Sequence, residues 1–320
     1  MEYDIEHILS SIGITYTRKG TANKVTGVSS LEEATENDLS FCSSKGQDAV
    51  LSISKSNAAL ILCSNELRGG AGAAAAIPAK QSQGLIFVEN PRLAFIKVVN
   101  HLQNQSIERK ISPHALVSRT AKIGSNCCIG DFAVIGDNCS IGDNTIIYDR
   151  VSLVRNCNVG NNCTIQSGVV MGFDGFAYER LPNGELEKFP HLKGVIIGNN
   201  VEISSNCQIA RGSLTDTVIG DGTKLDAAVY VAHNVKIGKN CLLTGGARIG
   251  GTVRIGDVCW IGLNCTIKQK VRIGNNAIIG AGALVLRDVA DEDIVAGVPA
   301  KSIKHKITTD KVFMMAGQKK

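Results

Sequence analysis

Residues 219–285 read IGDGTKLDAAVYVAHNVKIGKNCLLTGGARIGGTVRIGDVCWIGLNCTIKQKVRIGNNAIIGAGALV. Every sixth position from Ile219 is aliphatic: Leu225, Val231, Ile237, Leu243, Ile249, Ile255, Ile261, Ile267, Ile273, Ile279 and Val285. The next residue is often glycine. The residue two before is usually small (Cys241, Cys259, Ala277), and the one three before is often asparagine (Asn234, Asn240, Asn264, Asn276). A strict short period of this kind marks a repeat architecture.

Six residues are too few for a helix and enough for one short strand and one corner. Three such units close a triangular coil, and coils stack about 4.8 Å apart, the spacing of paired strands. The aliphatic residue fills the prism and the small residue sits beside the corner. Asparagine suits a corner of positive φ. Residues 18 apart in this repeat become vertical neighbours, so the sequence reads as a surface map.

Upstream, the same step runs from Ile111 through Val117, Ile123, Ile129, Ile135, Ile141, Ile147, Leu153, Val159 and Ile165 to Met171. It breaks at residues 172–194, GFDGFAYERLPNGELEKFPHLKG, where Asn183-Gly184 predicts a hairpin turn. It resumes at Ile197, Ile203 and Ile209 and slips in phase through Arg211–Asp216. A loop leaving a regular scaffold is where binding residues gather. Before the repeat, Asp4–Ile12 predicts a helix ending at Gly13, and Pro91–Leu102 a second, amphipathic helix. Ala58–Cys63 and Leu85–Val88 predict strands, giving an α/β unit. Gly69–Ala76 reads as a connector, since no Gly-Lys-Ser/Thr follows it. The expected fold is mainly β: a parallel β-helix over 106–290 with the loop 172–194, an N-terminal α/β domain over 1–105, and a short, partly helical tail over 291–320.

The 320 residues suffice for two or three units with cores of their own. Aromatics are only 4%, as expected of a prism filled by Ile, Val and small residues. The net charge of +5 is mild, so no nucleic-acid partner is expected. No apolar run approaches the length of a membrane span, and the N-terminus has no secretory pattern. A cytoplasmic location is expected. Of eleven cysteines, Cys127, Cys139, Cys157, Cys163, Cys207, Cys241, Cys259 and Cys265 fall in the small inward slot, as compact apolar fillers. The remaining three make no C-x-x-C spacing.

The segment VTGVSSLEEATENDLSF (Val25–Phe41) with ENPRLAFIKVV resembles the N-terminal domain of the UDP-3-O-acylglucosamine N-acyltransferases of lipid A synthesis. The repeat likewise resembles hexapeptide acyltransferases, which implies left-handed winding against the usual crossover rule and a homotrimer with sites between subunits. The resemblance implies a nucleotide held near Phe41; where the family continues with an asparagine and a tyrosine, this chain has Ser44 and Gln47. Gly172-Phe173-Asp174-Gly175-Phe176-Ala177 matches the family's G-x-D-G-F-G loop, making Phe173, Asp174 and Phe176 substrate-binding candidates. The motif AHNV-x-IG implies His233 as general base, with Asn234 beside it as a substrate-binding candidate. Gly251, 18 residues on, is the candidate oxyanion donor, and Asp216 or Asp226 the candidate to orient His233.

The ending IGAGALVLRDVADEDIVAGVPAKSIKHK (Ile279–Lys306) resembles instead the CoA-dependent sugar and serine acetyltransferases. It implies CoA-binding roles for Gly280, Ala281, Lys301, Lys304 and Lys306, and Lys236, Arg254 and Arg272 form a cationic column spaced by 18. The second histidine that the lipid A family often carries two coils above the base is replaced by Gln269.

These features predict N-acylation of a nucleotide-linked amino sugar by a short acyl-CoA, in the synthesis of lipopolysaccharide or surface polysaccharide. The second reading is UDP-3-O-acylglucosamine N-acylation from acyl carrier protein; a third, of another class, is a non-catalytic sugar-nucleotide-binding module. No permanently bound cofactor is expected. Some hexapeptide solenoids hold zinc, which needs about three converging histidines. On the lattice His114, His191 and His233 stand far apart, so no metal site and no second histidine near His233 are expected.

Overall fold

The computed structural model describes residues 2–68, 83–106 and 110–304. The Gly69–Ala76 connector, Lys306 and the tail beyond residue 304 lie outside the described residues. The chain divides into two compact units, Met1–Ile107 and Glu108–Lys320.

In the first unit, helix α1 (Ile5–Ser11) is capped by Asp4, whose carboxylate accepts from the His7 N–H. A five-stranded sheet runs in the order Thr17–Lys19, Gly84–Val88, Leu60–Ser64, Asp38–Phe41, Gly27–Val28. All its pairings are parallel except the first. Successive residues of Leu60–Ser64 feed opposite cores, which is why the run is apolar without alternation. Leu60 and Leu62 pack with Ile5 and Leu9 of α1 and with Ala94 and Val98 of a long helix. Ile61 and Cys63 pack with Ala49 and Ile53 of α2 (Gly46–Lys55), a helix the sequence reading did not mark. The long helix, α3, spans Pro91–Ser106.

The second unit is a left-handed parallel β-helix whose three faces are sheets of ten, nine and eight short strands. Partners are 18 residues apart through the regular blocks, as in Lys236↔Arg254 and Ile237↔Ile255. The aliphatic residues of the six-step, from Ile129 onward, form one continuous buried cluster with the small residues beside the corners. All eight inward cysteines are buried and free. The corners take positive φ at the expected slot, including Asn234 (62°), Asn240 (53°), Asn264 (52°) and Asn276 (54°). His114 stacks on Phe132, one coil above it, with ring centroids 5.7 Å apart.

Two interruptions position the site. Across the 172–194 excursion Cys157 pairs with Val195, and across Arg211–Asp216 Val195 pairs with Thr217. Both insertions leave the prism at the same corner, between the nine-stranded and eight-stranded faces. The next two corners of that column are His233–Asn234 and Gly251–Thr252. The excursion itself folds into a hairpin, with Tyr178–Arg180 antiparallel to Leu186–Lys188 and Gly184 at φ 91° in the turn.

Candidate active site

His233 follows the inward Val231 by two residues and projects from the corner, half-buried. Its Nδ1 lies 2.7 Å from the Asn234 Oδ1. The Asn234 amide is itself fixed, because its Nδ2 donates to the Thr215 carbonyl oxygen at 2.9 Å, an atom that can only accept. The opposite side of the amide therefore presents oxygen, which accepts from the Ser213 hydroxyl at 2.8 Å. Nδ1 of His233 must carry the ring proton, and Nε2 is left as the free base. That nitrogen faces Gly251: a Cβ added there would stand 2.9 Å from Nε2 and 3.0 Å from Cε1. Thr252 N–H donates to the His233 carbonyl at 2.9 Å, which fixes the spacing of the two corners. Among the described residues the Gly251 N–H has no acceptor.

The excursion folds back over this corner and corrects the expectation that His233 has no histidine neighbour. His191 lies against it, ring centroids 5.3 Å apart and planes at 78°. The lattice places only residues on the coils; residues 172–194 leave it, so their separation in sequence says nothing of their position. Burial, and then the nearby His233, push the His191 pKa down from its ordinary value. Gly175 borders both rings, and a Cβ there would meet His191 Nε2 at 2.7 Å and His233 Cβ at 2.8 Å. Beside it Asp174 pairs with Lys188 at 2.6 Å, and that ammonium holds its carboxyl below the usual carboxylate range. Phe173 is half-buried; Phe176 is 81% exposed and meets Tyr178 edge-on.

Neither proposed carboxylate reaches His233. Asp216 accepts from the Gly194 N–H at 2.8 Å, and Asp226 is engaged by the N–H groups of Ala227 and Gly245. Orientation falls to Asn234, expected as a substrate contact but buried and committed to its neighbours. The geometric reason is the corner: its positive φ turns the asparagine side chain back along the column toward Thr215, beside the preceding imidazole.

Lys236, Arg254 and Arg272 stand in direct register on the eight-stranded face. Lys236 Nζ donates to the Asp216 carbonyl at 2.6 Å, and burial pushes its pKa down. Gly280 and Ala281 lie at a different corner, after a strand of the ten-stranded face. Lys301 is exposed on that same face and Lys304 pairs with Glu292 at 3.6 Å, so the structure does not bring these four to the His233 corner. In the first unit, Phe41 meets Phe95 at 4.8 Å and borders a cleft of about 560 Å³ with Leu31, Ser43, Ser44 and Lys55. Among the described residues no cluster of three or more His, Cys, Asp or Glu is arranged to hold a metal ion. No helix among them is long and apolar enough to cross a membrane.

Comparison with known proteins places these features in context. The family model described as UDP-3-O-(3-hydroxymyristoyl) glucosamine N-acyltransferase, LpxD, matches residues 23–101. Hexapeptide models of bacterial transferases match 120–153, 138–172, 216–251 and 252–287. A UDP-3-O-acylglucosamine N-acyltransferase of Coxiella burnetii is 34% identical over 271 residues, 79% of this chain and 75% of that protein. A probable mitochondrial UDP-3-O-acylglucosamine N-acyltransferase of Arabidopsis thaliana is 39% identical over 150 residues, 47% of this chain and 49% of its own length. The match thus spans about half of that plant relative. Among solved structures, a Francisella novicida UDP-N-acetylglucosamine acyltransferase is 29% identical with TM-score 0.56, over 65% of this chain and 74% of that one. LpxA of Acinetobacter baumannii, 24% identical with TM-score 0.55 over 64% and 81%, shares the fold.

Proposed function

The chain belongs to the UDP-3-O-acylglucosamine N-acyltransferase family and is an acyltransferase, and from that premise we propose that it moves an acyl group from a thioester to the amine of a UDP-3-O-acylglucosamine, with His233 as general base. The observation that carries the reading is the lock on His233: Nδ1 donates to Asn234, and the unprotonated Nε2 faces Gly251.

The neutral amine attacks the thioester carbonyl carbon, forming the new C–N bond and a tetrahedral oxyanion. Nε2 of His233 takes the proton the nitrogen sheds. A positioned base of this kind contributes about 10²–10⁴-fold. The Gly251 N–H is assigned as an oxyanion donor, a role worth about 2.7–4 kcal/mol. Collapse breaks the C–S bond, and the imidazolium returns its proton to the departing thiolate, leaving an amide and a free thiol.

Of the two donor readings drawn from sequence, similarity to a UDP-3-O-acylglucosamine N-acyltransferase over 79% of this chain favours the carrier-protein thioester over a short acyl-CoA. The segment that resembles CoA enzymes is confined to the last coils, and its Gly280 and Ala281 stand at another corner from His233. Lys236, Arg254 and Arg272 would serve either donor, since coenzyme A and a carrier protein present the same phosphorylated pantetheine arm. The nucleotide is assigned to the cleft beside Phe41 in the first unit, and the assembly is read as a homotrimer.

The test is to mix purified protein with UDP-3-O-acylglucosamine and either hydroxyacyl-carrier protein or acyl-CoA, following free thiol and the mass of the nucleotide sugar. The expected result is thiol release matched by one acyl gain, fastest with the carrier protein. Tight nucleotide-sugar binding with no acylation from any donor would make the chain a binding module instead.

A further inference from the structure

We infer that His191, carried on the excursion, is a positioning residue that holds the His233 ring in its working rotamer. This rests on the reading of His233 as general base. The ring of His233 meets Asn234 at Nδ1, Gly251 at Nε2 and Cε1, Gly175 on the Cβ and Cδ2 flank, and the His191 ring edge-on. One hydrogen bond at Nδ1 leaves the imidazole free to tilt about that bond. The wedge of Gly175 and the perpendicular His191 ring closes the direction of that tilt.

The surroundings of His191 argue against a role in stability. The residue is 5% exposed, and among the described residues neither ring nitrogen has a well-formed hydrogen bond, the Phe189 backbone interacting with it only weakly. A buried polar atom left unpaired costs free energy that an apolar side chain of similar volume would not. An aliphatic side chain such as leucine would serve the fold better, so a flat ring standing perpendicular to His233 points to the site it abuts. The charged or titratable groups that face it are His233, Asp174 and Lys188. Burial, His233 and then Lys188 favour its neutral form, and Asp174 and the Phe189 backbone oppose them. A neutral neighbour does not repel the proton that His233 must accept during acyl transfer.

The test replaces His191 by Ala, Phe and Leu, with His233→Ala as the control, and compares kcat and KM for both substrates. Misplacing a reacting group by about 1 Å costs on the order of 100-fold. His191→Ala is therefore expected to lower kcat about 10- to 100-fold with both KM values unchanged within about twofold. His191→Phe, which keeps the perpendicular ring, is expected to restore kcat to within about threefold of wild type, and His191→Leu is not. If the alanine variant does not fold, the Phe and Leu pair decides: equal kcat for these two means that bulk alone suffices and overturns the inference. A His191→Ala enzyme with wild-type kcat, alongside an inactive His233→Ala enzyme, overturns this inference alone. An active His233→Ala enzyme overturns the base assignment beneath it.

Discussion

The side-chain oxygen of Asn234 lies 2.7 Å from Nδ1 of His233, its neighbour in sequence, while the nitrogen of the same amide is held by the Thr215 carbonyl. That pairing sets the tautomer of the neutral imidazole, with the proton on Nδ1 and Nε2 bare. Asn234→Ala removes it, and kcat is expected to fall at least about tenfold as the ring loses its tautomer and rotamer. Asn234→Asp keeps an acceptor but adds a negative charge that stabilises the imidazolium. Its acid limb of kcat/KM against pH is expected to move to higher pH, since the base then holds its proton longer. An unchanged limb would mean that Asn234 does not touch the titrating group.

Gly251 owes its identity to the approach of His233. In Gly251→Ala the added Cβ would crowd Nε2 at 2.9 Å, displacing the ring and blocking the oxyanion site. The loss of kcat/KM is expected to be on the order of 100-fold from displacing the ring, since the backbone N–H itself survives the substitution. Thermal unfolding is expected to change little, because the glycine sits at a half-exposed corner outside the prism core. Activity within fivefold of wild type would argue against both roles.

Why the coils were legible in sequence and the wall of the site was not follows from what the period controls. Ile237, Ile249 and Ile255 recur because each must fill the same slot, so their spacing carried the fold, the corners and the His233–Gly251 stack. The pairing of Asp174 with Lys188 and the approach of His191 depend on how residues 172–194 fold back, which no period governs. Helix α2 went unmarked because only Ala49 and Ile53 of its ten residues are buried, too thin an apolar stripe to stand out. Asp216 and Asp226 stand out in the sequence as orienting candidates because charge is conspicuous, whereas the positive φ of a corner, which aims the Asn234 amide, is not.

His191 also predicts how the fold responds to acid. Its pKa is lowered below 6.5 by burial, so below about pH 6.5 the unfolded chain binds a proton that the folded chain refuses. Stability contributed at neutral pH is thus lost as pH falls through the unfolded value toward the folded one. His191→Gln removes this proton, so its melting temperature is expected to drop less than that of wild type between pH 7.5 and 5 in paired thermal melts. Parallel curves would show that His191 titrates normally.

The base assignment is tested most directly by turnover of the His233→Ala enzyme on UDP-3-O-acylglucosamine with an acyl thioester, measured beside wild type on protein shown to be folded. The expected result is a fall in kcat of about 10²–10⁴-fold with substrate binding retained. A kcat within tenfold of wild type would contradict the assignment, and with it the mechanism built on His233 and Gly251.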